Sequence, residues 1–143
     1  MEATTALLAS LVALPGRAQT LGEVLRDSDV PLGPRVPFDP DRRITSYAVE
    51  NGPDLCIIAF YDLGPGAYLD DTLRIGVFDR SKAAWIHASL PRRRAASPAW
   101  DVGSILEIHH SASRIYLDTH TNPSAGTVIV LSRSLRPVAA LSG

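Results

Sequence analysis

Four residues of this 143-residue sequence, Glu107, His109, Asp118 and His120, have the types and spacing best suited to chemistry. They flank Ser111-Ala112-Ser113, a run of small turn-forming residues. With Ala112-Ser113 as a two-residue turn, period-two alternation places Glu107 and His109 on one sheet face with Tyr116, Asp118 and His120. Leu106, Ile108, Ile115 and Leu117 then take the opposite, apolar face. Imidazole nitrogens and carboxylate oxygens converging from adjacent strands suit zinc or another divalent ion. The same groups can form an acid/base pair in which a carboxylate orients a histidine. The solvated face of a half-buried strand pair shows the same alternation without any chemistry. Moving the turn by one residue exchanges His109 for His110.

A second charged feature is Arg92-Arg93-Arg94, after Pro91. Three guanidinium groups there attract phosphates or an acidic partner, or keep two sheet edges apart as a solvated loop. Asp62, Asp70 and Asp71 flank Gly64-Pro65-Gly66, but their spacing fits no twelve-residue calcium loop. Cys56, set among Leu55, Ile57 and Ile58, reads as a small apolar side chain rather than a nucleophile. Trp85 and Trp100 read as anchors of the core and of the central connection. The sequence has no Gly-x-Ser-x-Gly elbow, phosphate loop or Gly-x-Gly-x-x-Gly.

The elements that must position these residues are strands. Ile44 to Val49, Leu55 to Tyr61, Leu73 to Phe78 and Ala83 to Ser89 are rich in β-branched and aromatic residues. They are separated by Asn51-Gly52-Pro53-Asp54, Gly64-Pro65-Gly66 and Asp79-Arg80-Ser81-Lys82. A second set of four follows: Ser104 to His110, Ile115 to His120, Thr127 to Leu131 and Pro137 to Leu141. The segment Ile75-Gly76-Val77-Phe78-Asp79-Arg80-Ser81 aligns with Val128-Ile129-Val130-Leu131-Ser132-Arg133-Ser134, and the order of long and short turns matches. The expected fold is therefore all-β: one domain over 44–143 made of two tandem four-stranded antiparallel meanders, 44–90 and 104–143. Such a repeat resembles the blade of a β-propeller, an architectural likeness that brings no diagnostic motif. Two blades cannot close a ring that needs about four to eight. Two stacked or adjacent meanders are the favoured arrangement, because each apolar face must be covered.

Ahead of this domain, residues 1–18 have the pattern of a secretory signal. An apolar run from Ala6 to Leu14 is broken at Pro15-Gly16 and followed by small residues up to Ala18. The run is too short to span a bilayer, and Met1-Glu2 supply no positive charge. If retained, Leu7, Leu8, Leu11, Val12 and Leu14 need a covering surface. Thr20 lies three residues before Glu23 at capping-box spacing, so a two-turn helix with Leu21, Val24 and Leu25 on one face is expected. Pro31, Pro34, Pro37 and Pro40 then recur every third residue, the repeat of an extended polyproline spacer. Residues 19–43 are thus expected to be a short helix and a proline-rich linker.

Composition sets the function classes. Fourteen Lys and Arg against fifteen Asp and Glu give a net charge of −1, which offers no global field for nucleic acid. One cysteine excludes an intramolecular disulfide and a cysteine-only zinc site. The leading expectation is a secreted or periplasmic, non-catalytic binding or assembly domain acting through sheet faces or edges, with a protein partner or self-association, no nucleic acid and no stable membrane span. It assigns binding to Tyr116, Arg92, Arg93 and Arg94, and needs no cofactor. The alternative is a small hydrolase with a divalent metal on His109, Asp118, His120 and Glu107, Glu107 serving as general base.

Overall fold

The computed structural model describes residues 19–30, 36–64 and 69–142. Expectations for residues 1–18, for Pro31 and Pro34, and for Pro65, Gly66 and Tyr68 lie outside the described residues.

The fold is all-β, with one short helix among the described residues. The chain opens with β1 (Gln19–Thr20) and α1 (Leu21–Asp27), followed by β2 (Arg43–Asn51), β3 (Leu55–Leu63), β4 (Leu69–Asp79) and β5 (Ala84–Pro91). A connection carries the two-residue strands β6 (Arg93–Arg94) and β7 (Trp100–Asp101). The second set is β8 (Ser104–His110), β9 (Arg114–Asn122), β10 (Ala125–Ser132) and β11 (Pro137–Ser142). Both sets are antiparallel meanders, ordered β1-β2-β3-β4-β5 and β11-β10-β9-β8.

The two sheets share one core. Ile57, Tyr61, Ile75 and Val77 of the five-stranded sheet pack in the same buried cluster as Ile108, Ile115, Leu117 and Ile129 of the four-stranded sheet. Face-to-face burial of this kind closes the interior that neither meander closes alone. The first strands of the two meanders, β2 and β8, lie alongside each other. Ile105 N donates to Ser46 Oγ at 2.9 Å, and His110 Nδ1 lies 2.7 Å from Glu50 Oε2, so both strands ascend in the same direction.

The N-terminal segment corrects the spacer expectation. Leu21, Val24, Leu25, Val30 and Phe38 form a second buried cluster with Ile44, Cys56, Ile58, Phe60 and Phe78, on the outer face of the five-stranded sheet. Residues 36–42 are therefore a strap held on the sheet, fixed at its end by Gly22 N–H to Pro40 C=O at 2.8 Å. This explains β3, whose residues Leu55 to Tyr61 are all buried: one face meets the other sheet and the other meets the strap. Copies of the chain cannot stack on that face without displacing α1 and Phe38.

The helix forms as the sequence indicates. Thr20 Oγ1 accepts from Glu23 N–H at 3.2 Å and lies 3.0 Å from Glu23 Oε1. Thr20→Ala should lower stability by about 1 kcal/mol in urea titration, the usual size of a lost N-cap; an unchanged midpoint would show that packing alone holds α1.

Candidate binding groove

The face carrying the proposed metal ligands has the membership that alternation gives. His109 pairs with Tyr116 and Glu107 with Asp118 across β8 and β9, and Ser111 to Arg114 close the turn as placed. The ligands, however, divide into two pairs. His109 Nε2 is 2.8 Å from Glu107 Oε2 on β8, while His120 Nε2 is 3.8 Å from Asp118 Oδ1 on β9. Among the described residues, no three His, Cys, Asp or Glu side chains gather closely enough to hold a metal. Tyr116 is half-buried on the same outer face.

The arginine run is engaged within the chain. Arg93 Nε lies 3.3 Å from Asp101 Oδ1, and Arg94 stacks 5.1 Å from the centre of the Trp100 ring. Trp100 Nε1 donates to Pro91 C=O at 2.8 Å, which pins the connection between the meanders. Arg92 bonds through its main chain to Asp71 and Val102. The Arg92 Nε is buried with no hydrogen-bond partner among the described residues. Cys56 is buried, and desolvation pushes its thiol up to about 11, so it is protonated at neutral pH.

One residue moves faces. Alternation assigns Leu106 to the core, yet it is 51% exposed. The cause is a bulge: Ile105 pairs with Thr119 and Glu107 with Asp118, leaving Leu106 without a partner on β9. The strand opposite is bulged too. Ser46 and Tyr47 of β2 together face the single residue Phe60, since Thr45 pairs with Tyr61 and Ala48 with Ala59. Ser46 adopts the left-handed region with φ 49°, uncommon for a residue with a side chain, and the Ile105 N–H bond to its hydroxyl holds it there. Two bulges thus meet at the seam between the sheets.

Outside this seam runs an open groove of about 940 Å³. Its floor is Tyr47 to Glu50 of β2, one wall is Val24, Asp27 and Ser28 of the helix end with Gln19, and the other wall is Leu106 to His109 of β8. Among the described residues, β2 beyond Ile44 and β8 each have one edge without a strand partner, and on that edge the Ile105 N–H is taken by Ser46 Oγ. The Tyr47 hydroxyl donates to Gln19 Oε1. Its pKa is raised by burial first, then by the charges of Asp27 and Glu23, which keeps it a donor.

Glu107, His109 and Val24 are singled out in the sequence for other roles, whereas the β2 floor and the outward turn of Leu106 are not. A signal exists in Ile105-Leu106, an apolar doublet that breaks alternation just before Glu107. Among the described residues no helix is long and apolar enough to cross a membrane. Comparison of the chain with known protein families, with curated proteins and with solved structures finds no match.

Proposed function

We propose that this chain is a non-catalytic binding domain that takes an extended segment of another polypeptide into the groove along the β2–β8 seam. The observation that carries this reading is the pair of facing bulges, which turns Leu106 out of the core and onto the groove wall. Bulges re-aim side chains next to sites and end strand pairing. Unpaired strand edges supply main-chain hydrogen bonds to an added segment, and an apolar side chain beside them supplies an anchor. Export to a secreted or periplasmic location belongs to the same proposal and rests on the sequence from Ala6 to Ala18.

The test is selection of random twelve-residue peptides from a display library on the immobilised full chain. Peptides enriched on the native chain should bind Leu106→Asp about tenfold or more weakly, because a buried apolar anchor is replaced by a carboxylate. Val138→Asp, on the opposite edge of the four-stranded sheet, should leave binding unchanged. Both positions are exposed, and urea midpoints should confirm that neither variant is unfolded. Enriched peptides indifferent to Leu106, or no enrichment at all, would sink the reading.

A further inference from the structure

The groove carries charge of one sign. Among its lining residues Asp27, Glu50 and Glu107 are carboxylates and none is Lys or Arg, so with histidine neutral its formal charge is −3. The whole chain carries only −1. Asp27 makes no ion pair among the described residues, whereas Glu50 and Glu107 each meet a histidine. Beside the carboxylates, the exposed Leu106 and the half-buried Val49 offer apolar surface, while Val24 and Ile108 belong to the buried clusters. An occupant must satisfy both features at once.

We infer that the segment docking at the β2–β8 seam is an extended peptide in which Lys or Arg alternates with aliphatic residues. This rests on the proposed binding reading and specifies the partner's chemistry. An extended segment projects successive side chains to opposite sides. Laid along the seam, it sets its aliphatic residues on Leu106 and Val49 and its cationic residues toward Asp27 and Glu107. Charge complementarity of this kind raises the association rate and excludes acidic competitors more than it adds affinity. The Tyr47 hydroxyl, whose proton goes to Gln19 Oε1, stays uncharged within that negative end.

Three capped eight-residue peptides separate the charge claim from the groove claim. They share alternating valines and differ only in carrying Lys, Ser or Glu at the intervening positions. Fluorescence anisotropy on the full chain should rank them Lys, then Ser, then Glu. Asp27→Asn and Glu107→Gln should each weaken the Lys peptide by about threefold, as partly exposed charge pairs do. Neither change should affect the Ser peptide. Raising salt should narrow the gap between Lys and Ser. Equal affinity of Lys and Ser peptides, both lost in Leu106→Asp, would overturn the charge inference and leave the groove reading standing. Binding of the Lys peptide that survives Leu106→Asp and both charge variants, or binding of none of the three, would overturn the inference together with the groove.

Discussion

Phe38→Ala should remove about 3–5 kcal/mol of stability, the range for emptying a large aromatic site in a core. Phe38 is 8% exposed and lies edge-on to Phe60, with ring centres 5.1 Å apart, and to His87 at 5.7 Å. Its place is prepared by Gly76, where a Cβ would stand 2.7 Å from the Phe38 ring. A side chain at position 76 would therefore force the Phe38 ring to shift. Losing the ring also uncovers Phe60 and Ile58, because the strap is their cover on that face. Urea titration should show the lowered midpoint. Thiol labelling in native buffer should show Cys56, fully buried in the same cluster, reacting faster in the variant. A midpoint within about 1 kcal/mol of the native chain, with unchanged labelling, would mean that residues 36–42 are the loose spacer their prolines suggest.

That contrast shows what the sequence made legible. Strand identity was readable wherever one face is buried and the other solvated, as in β9, whose alternation of Ile115, Leu117 and Thr119 inward against Tyr116, Asp118 and His120 is regular. The helix was readable from its cap and three apolar positions. The strap was not, because prolines fix only the local backbone and remove donors, and say nothing about what a Phe between them packs on. The run Leu55 to Tyr61 did hold the missing information, since a strand apolar at every position needs cover on both faces. The polar face of β8 and β9 was placed correctly in register, but residue type cannot reveal that Glu107 turns to His109 and Asp118 to His120 rather than all four to a common centre. The seam was hidden for a related reason. Pairing across two bulges depends on contacts between strands about sixty residues apart, such as Ser46 with Ile105, which no local pattern encodes.

The seam also explains why Gly103→Ala is expected to be among the most damaging single changes in the chain. A Cβ on residue 103 would fall 2.0 Å from the His120 carbonyl oxygen and 2.6 Å from the Thr121 nitrogen, both backbone atoms that cannot swing aside. The start of β8 would have to move away from β9. The buried Tyr61 hydroxyl donates to the Gly103 carbonyl at 3.2 Å, and that bond would stretch or break with the movement. Overpacking costs about 1–3 kcal/mol and an orphaned buried polar group a similar amount, so a loss of about 3 kcal/mol or more is expected. Ser104→Ala, at an exposed neighbour, should stay within about 0.5 kcal/mol. The functional consequence separates this variant from a merely weakened fold. Ile105 N–H, two residues on, is the donor that holds Ser46 in its positive-φ conformation, so moving β8 releases the β2 bulge and shifts the groove floor. At temperatures where Gly103→Ala is still fully folded, peptides selected on the native groove should bind it more weakly although none of its lining residues has changed. Leu131→Ala, which empties a buried site on β10 away from the groove lining, tests whether any destabilisation would do the same. Equal loss of affinity in the two variants would remove the special role assigned to the β2–β8 seam.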